Sequence, residues 1–424
     1  MLNKRKAFVF FLALFFLSRW YVLSNPPFYY AVANDPTSGV GYSDVKHDSE
    51  RYANMWHYGL TPYLEHLYEY PPAAIPIVYL PLLIDLAGFG HYYINYRVGI
   101  FLLETIVFIA IYKAIEKYKV ADKNKTISLL FYIGAGMVAK DYWYEGLDLA
   151  FVGVLILAMV WRQLKGHTTL GKRIVFWTLF WLSVAIKFMS APLLVLFLWL
   201  ERKKPILELK AFIIGFLIIW LIPLVVFRSS LSVMFYFHNI RPIKAESFAR
   251  FVIDSVNIFT KSDYLSDIAP HFPMVGPVSD VVTKVVAVAF PAGMGLYLIY
   301  TMHYVIKRKS KEVFADGTIV GLILIYIFVV FLTGKIFSNP FHIWYVPLIT
   351  ILPFKDTRKQ LLFMSMAVIM LLLDTTPLIL VPNISFNMIN LGWIRGLFRF
   401  IPMFILLFSS IGCVSRQRKG VVTL

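Results

Sequence analysis

Cysteine is almost missing. The 424-residue chain has one, Cys413, so no internal disulfide and no cysteine-based metal centre can form. Charge is scarce too. Asp, Glu, Lys and Arg make up 15% of the residues, against about 25% in a soluble domain. Acid is the scarcer sign, with 24 Asp and Glu against 41 Lys and Arg, a net charge of +17. In a soluble protein that excess would point to nucleic acid. Here the basic residues fall between apolar runs, so orientation in a membrane accounts for them and nucleic acid is not expected as a partner. Internal repeats and low-complexity tracts are also lacking, and the chain reads as one domain, 1–424. After Lys4-Arg5-Lys6 the apolar run passes through Trp20-Tyr21-Val22-Leu23 with no small-residue cleavage site. A retained first span is therefore expected rather than a cleaved signal.

What is present is apolar and aromatic. Hydrophobic residues are 59% of the chain and aromatics 17%, with mean hydropathy +0.70. The expected class is all-α: a polytopic integral membrane protein of about 12 transmembrane helices, both ends on the basic, cytoplasmic side. The spans run Ala7–Leu23, Tyr96–Tyr112, Thr126–Ala139, Leu147–Trp161, Ile174–Ile186, Ser190–Leu200, Ala211–Phe227, Val281–Ile306, Gly317–Leu332, Ile343–Phe354, Leu361–Leu373 and Gly396–Cys413. Ala73–Leu86 is apolar but carries Pro76 and Pro81, and reads as a re-entrant or interfacial element. Between spans lie basic loops such as Lys113–Lys125, Arg202-Lys203-Lys204 and Lys307-Arg308-Lys309.

Two outer segments interrupt this pattern, an outer loop over 25–72 and a second over 228–280. Tyr42–Pro72 is polar and aromatic, with Asp44, Asp48, Glu50, Glu65 and Glu69 beside His47, His57 and His66. Such a stretch belongs at the water interface or around a cavity. Tyr52, Met55 and Trp56 share a helical face. The spacing predicts a juxtamembrane helix, a turn at Gly59–Pro62, and a second helix entering at Tyr70-Pro71-Pro72. Other ionisable residues stand at span ends. Asp141, Glu145 and Asp148 lie between spans three and four, and Lys187 ends span five. Arg241, Lys244 and Arg250 lie in the second outer segment, and Lys335 and His342 in a hairpin. Boundary charges anchor helices at least as often as they serve chemistry.

Three motifs in this order resemble the GT-C superfamily of membrane glycosyltransferases, above all glycosyltransferase family 87, which uses polyprenol-phosphate-mannose. The first is Asp44, then Gly59-Leu60-Thr61-Pro62-Tyr63, then Tyr68-Glu69-Tyr70-Pro71-Pro72. The second is Lys187 near Pro192. The third is Lys335-Ile336-Phe337-Ser338 followed by His342-Ile343-Trp344-Tyr345-Val346-Pro347. The enzyme that adds the first mannose to GPI anchors is a more distant likeness. This chain departs from these relatives in three places. Asn339-Pro340-Phe341-His342 replaces a glutamine-tyrosine pair, Asp148 replaces an asparagine, and Asp44-Val45-Lys46 keeps only the first acid of a D-x-D.

The resemblance implies a transferase that moves a sugar, mannose first among the choices, from a polyprenyl-phosphate donor to a lipid-linked or cell-envelope glycan. It implies Asp44 as general base and Lys187, Lys335, Arg241 and His342 at the donor phosphate. His47, Asp48, Trp56, Tyr63, Tyr70 and Asp148 would meet acceptor or sugar, and Trp143 could stack on the sugar. No metal or other cofactor is expected. Membrane lipids surround the chain, in the cell membrane of a prokaryote or the ER membrane of a eukaryote, with the site on the extracytoplasmic side. The alternative reading is a transporter or flippase of lipid-linked sugars. It calls for inverted repeats and for charges at span centres.

Overall fold

A computed structural model describes residues 4–25, 43–118, 120–241, 243–244, 246–260, 277–306, 312–313, 317–375 and 388–418. The described chain is helical, apart from a single bridge between Pro62 and His66. It packs as two compact units, Met1–Lys119 with Lys125–Ile240, and Val120–Asn124 with Arg241–Leu424.

The first unit holds α1 (Lys4–Ser24), a π-helical turn (Asp44–Ser49), α2 (Glu50–His57), α3 (Ala74–Leu86), α4 (Tyr92–Lys117) and α5 (Asp122–Val138, whose first turn falls to the other unit). It continues with α6 (Asp148–Lys165), α7 (Leu170–Ile186), α8 (Leu193–Leu200), α9 (Pro205–Phe227) and α10 (Val233–Ile240). α4 packs on α6, α6 on α7 and α7 on α9. Gly215 makes the last contact possible, since a Cβ there would stand 2.8 Å from Trp177. α3 returns into α4 through Gly88 and Gly90, both at positive φ. Asp85 accepts from the Tyr92 backbone N–H at 2.8 Å, satisfying one of the free donors at the start of α4. At 13 residues, α3 is about 20 Å long and too short to cross a ~30 Å hydrocarbon core alone.

The second unit holds α11 (Phe248–Thr260), α12 (Pro277–Val305), α13 (Thr318–Thr333), α14 (His342–Ile351), α15 (Thr357–Thr375) and α16 (Met388–Arg418). α13 is buried along almost its whole length, and α11, α12, α14 and α16 all pack on it. Asn124 joins this unit by donating to the Phe354 carbonyl at 2.8 Å, while Gln360 donates to the Asn124 carbonyl at 2.7 Å.

Among the described residues, five helical stretches are long and apolar enough to cross a membrane: Lys4–Ser24, Tyr92–Lys117, Pro205–Tyr236, Asp280–Val305 and Trp393–Ser415. Five other expected spans form helices of only 8 to 17 residues: α5, α7, α8, α13 and α14. The second helix expected at Tyr70 begins instead at Ala74, because Tyr70-Pro71-Pro72 is non-helical and Pro72 lacks the N–H an interior helical position needs. Residues 26–42 of the first outer loop, 261–276 of the second, and Lys307-Arg308-Lys309 lie outside the described residues.

Apolar interiors here contain charge. Arg19 and Glu104 are fully buried and meet at 2.7 Å between α1 and α4. Arg19 also donates to the Ile133 carbonyl at 2.9 Å, and Trp143 donates its indole N–H to Glu104 at 3.1 Å. Tyr144 completes the set by donating to Glu104. The guanidinium lies over Gly136, where a Cβ would come within 2.5 Å of it. Every charge in this knot has a partner, which is the condition for keeping it in a low-dielectric interior.

Candidate functional site

The Asp44 turn starts from a serine. Ser43 is extended (φ −106°, ψ 117°) and its hydroxyl accepts from the Lys46 N–H at 3.2 Å. That is helix N-capping, a serine side chain replacing a missing backbone acceptor. The turn from Asp44 to Ser49 is π-helical and runs straight into α2. Such single π turns recur at functional sites.

The Ser43 hydroxyl also donates to Glu145 Oε2 at 2.7 Å. Glu145 is buried in the turn between α5 and α6, where its other oxygen accepts from the Tyr93 hydroxyl at 2.7 Å. The Arg97 guanidinium lies 3.4 Å from the same oxygen and donates to the Val22 carbonyl at the end of α1 at 2.9 Å. Burial raises the Glu145 carboxyl above its ordinary range, and Arg97, Tyr93 and Ser43 work against that rise. Three residues on, Asp148 opens α6 and takes the Lys187 ammonium at 2.6 Å. The Tyr96 hydroxyl, buried on α4, lies within electrostatic reach of Asp44, Glu145 and Asp148 together. Asp148 thus links Lys187 to the set of carboxylates that Tyr96 feels.

Lys187 caps α7 in an extended conformation. The Tyr70-Pro71-Pro72 run docks beside it, where the Ala73 N–H donates to the Ala185 carbonyl at 2.8 Å. That carbonyl belongs to the last turn of α7 and has no partner within its helix. The first and second sequence motifs therefore meet at the end of α7.

The other predicted residues of this unit have mixed settings. Asp44 is half-buried and His47 exposed. Asp48 is half-buried and takes Arg51 at 3.4 Å. Trp56 donates to His66 Nε2 at 2.8 Å and stacks on Tyr52 at 6.2 Å, leaving part of its ring exposed. Tyr63 adopts positive φ (66°), and its ring is buried against Tyr68 and Phe227 at 5.6 and 5.0 Å. Its hydroxyl donates to the Tyr70 carbonyl. Burial pushes that phenol well above its ordinary range. Tyr70 itself is half-buried against Tyr68. Trp143, by contrast, has no exposed face to offer a sugar, because it is enclosed with Glu104.

In the second unit, Arg241, Lys244 and Lys335 come together. The Lys244 N–H donates to the Lys335 carbonyl at 3.0 Å. Partial burial, then the neighbouring Arg241, pushes the Lys335 ammonium below its ordinary range. Arg399 braces this segment, donating to the Glu246 carbonyl at 2.7 Å and lying over the Phe337 ring at 5.1 Å. His342 turns inward instead. It is fully buried, with Nδ1 2.9 Å from the Tyr345 hydroxyl and its ring 5.2 Å from Phe337, so it offers no exposed edge to a donor phosphate.

Among the described residues, one carboxylate–histidine group has metal-like spacing. His167, Glu201 and Glu208 bring one ligand atom each within 4.8 Å of the others. The two carboxylates already hold Arg162 and Arg173. Two negative charges balance two positive ones, and a divalent ion would leave the buried group strongly positive. The group also lies at the far ends of α6 and α7 from Asp148 and Lys187, about 25 Å away along 17–18 residues. It fastens helices together and is remote from Asp44.

The sequence contains all these residues but not their pairings. Ser43 was readable as a capping serine, and Arg19, Arg97 and Glu104 as charges inside apolar runs. No protein-family profile matches the chain, and no curated protein matches it. Among solved structures it is similar to the crystal structure of ArnT from Cupriavidus metallidurans in the apo state, at 14% identity and a TM-score of 0.47, covering 96% of this chain and 78% of that one.

Proposed function

We propose that this chain is a membrane glycosyltransferase of the GT-C type. It moves a sugar, mannose first, from a polyprenyl-phosphate donor to the hydroxyl of a lipid-linked or cell-envelope glycan. The observation that carries the reading is that Asp44, a half-buried carboxylate, and Asp148, which holds Lys187 at 2.6 Å, both act electrostatically on the buried Tyr96 hydroxyl. The transfer needs both kinds of group. As the acceptor oxygen bonds to the sugar carbon, its proton goes to a base, and Asp44 takes it. The bond from sugar to phosphate breaks, negative charge grows on the departing phosphate, and a fixed cation stabilises it. Lys187 is that cation in the first unit. In the second, Arg241, Lys244 and Lys335 form an anion-binding cluster to be tested separately. Asp48 and His47 orient the acceptor, and the exposed part of Trp56 meets the sugar. Divalent metal has no part in the proposal, since Lys46 stands where a D-x-D would place its second acid.

The transport reading finds some support in the Arg19–Glu104 pair, a charge pair inside the apolar helices. That pair is sealed, however, at 0% exposure for both side chains, and a carrier needs its intramembrane charges to face a pathway. The deciding experiment supplies purified protein in lipid with labelled polyprenyl-phosphate-mannose and an extract of the source membrane. Label should move to an acceptor. Transfer from GDP-mannose without a lipid carrier would reject the donor class, while transfer only from a glucosyl or arabinosyl donor would change the sugar alone.

A further inference from the structure

The Glu145–Asp148 turn touches both ends of the proposed chemistry. At one end Glu145 holds Ser43, the residue that caps the Asp44 turn, at 2.7 Å. At the other, Asp148 holds Lys187 at 2.6 Å. Only Gly146 and Leu147 separate the two acids. Behind Glu145, Tyr93 and Arg97 tie the same carboxylate to α4, and Arg97 fastens α4 to the end of α1. Ser43 and Glu145 are both buried, at 6% and 5% exposure, so water does not compete for their hydrogen bond.

We infer that Glu145 is a positioning residue: acting through the Ser43 hydroxyl, it sets where the Asp44 carboxylate stands relative to Lys187. The inference rests on the reading of Asp44 as general base. Ser43 has one hydroxyl proton and gives it to Glu145, while its oxygen accepts from the Lys46 N–H. The hydroxyl is therefore oriented at both ends, and the first turn of the Asp44 helix has one preferred entry direction. Without the acceptor at Glu145 the hydroxyl can rotate and the cap loosens. The Asp44 turn then gains freedom while α4, α6 and Lys187 keep their own contacts. Such a change alters proton transfer rather than donor binding. A displacement of about 1 Å at a catalytic group can cost about 100-fold in rate.

The test uses the full chain in lipid nanodiscs, with labelled polyprenyl-phosphate-mannose and the source-membrane lipid extract. Glu145→Gln, whose amide oxygen stays with Tyr93 and Arg97 and so turns its NH2 toward Ser43, and Ser43→Ala should each lower kcat about 10- to 100-fold and leave donor KM unchanged. Ser43→Thr, which keeps the hydroxyl, should restore most of the rate. The double variant should be no slower than the slower single one, because both remove the same link. In Ser43→Ala, which leaves Glu145 with Tyr93 and Arg97, amide exchange should quicken over residues 43–49 and stay unchanged in α4 and α6. If Glu145→Gln melts early, Ser43→Ala carries the test alone, since it removes one oxygen atom. The inference fails if both variants keep wild-type kcat while Asp44→Asn abolishes transfer. It also fails if they raise donor KM and spare kcat. If Asp44→Asn itself keeps wild-type activity, the general-base reading fails first and the inference with it.

Discussion

Lys187 Nζ and Asp148 Oδ1 meet at 2.6 Å, one from the residue that caps the end of α7 and one from the first residue of α6. Asp148 thereby aims the ammonium, and both side chains are mostly covered. Removing a charged partner from such a bond costs about 1.5–3 kcal/mol, or roughly 10- to 100-fold in affinity. Lys187→Met should therefore raise donor KM in that range, with Lys187→Arg in between. Asp148→Asn should weaken donor binding less, because the cation remains. Unchanged donor affinity in Lys187→Met would remove this lysine from the donor site.

Asp44 carries the sharpest expectation. Asp44→Asn changes size and polarity little, so the protein should fold and bind donor. Transfer should fall by about 10²–10⁴, the range for a lost general acid–base group. Asp48→Asn is the companion variant and should lose less, its carboxylate resting against Arg51 at 3.4 Å. The reverse ranking would show that the base is Asp48. Transfer should continue in EDTA; loss in EDTA with recovery on adding manganese would overturn the metal-free half of the proposal.

The buried pair in the first unit makes a prediction about stability instead. Arg19→Met would leave the enclosed Glu104 carboxylate without its guanidinium partner, beside the Trp143 and Tyr144 donors. Breaking a buried pair from one side costs about 3–5 kcal/mol. The variant should melt at a distinctly lower temperature in lipid, and the folded fraction should keep its transfer rate. If the rate falls with no change in melting, Arg19 serves function and the transport reading gains ground.

How much of this could be read in the sequence depends on the range of the interaction. α1 was expected over Ala7–Leu23 and forms over Lys4–Ser24. α6 was expected over Leu147–Trp161 and forms over Asp148–Lys165. Apolar runs flanked by charge are local signals, and so is the amphipathic face of Tyr52 and Trp56 in α2. Partners are not local. Ser43 and Glu145 stand 102 positions apart, and Arg19 and Glu104 stand 85 apart. Nothing in the spacing says that Glu145 turns toward the Asp44 cap while Asp148 turns toward Lys187. His342 shows the same gap in the other direction. Its place beside the Lys335 hairpin suggested a phosphate ligand, and the packing of Phe337 and Tyr345 draws its ring inward.

Sidedness is open to labelling. Arg51 projects from α2 with its side chain 60% exposed, while Cys413 is the chain's single cysteine and is buried. In a Cys413→Ser background, Arg51→Cys should react with an impermeant maleimide added outside intact cells. The topology expected from the basic residues between the apolar runs has α2 on that face. Reaction only after the cytoplasmic face is opened would invert the topology and move the Asp44 site to the nucleotide-sugar side.

The cluster in the second unit predicts a pH dependence. The Lys335 ammonium is pushed below its ordinary value of 10.5, chiefly by burial and then by Arg241. The unfolded chain therefore binds this proton more tightly than the folded one. The charged lysine costs stability, and stability rises as pH climbs through the window between the lowered value and the ordinary one. A bound phosphate works the other way, since an anion favours the charged form. Polyprenyl-phosphate affinity should hold near neutral pH and weaken on the alkaline side, starting earlier than for an ordinary lysine. Lys335→Arg should flatten that decline, because a guanidinium stays charged. The measurement is binding of polyprenyl phosphate to protein in nanodiscs at pH values from about 7 to about 10. Lys335→Met should bind more weakly at every pH below the decline. If Lys335→Met matches wild type throughout, the cluster binds no phosphate and the donor assignment loses its second-unit half.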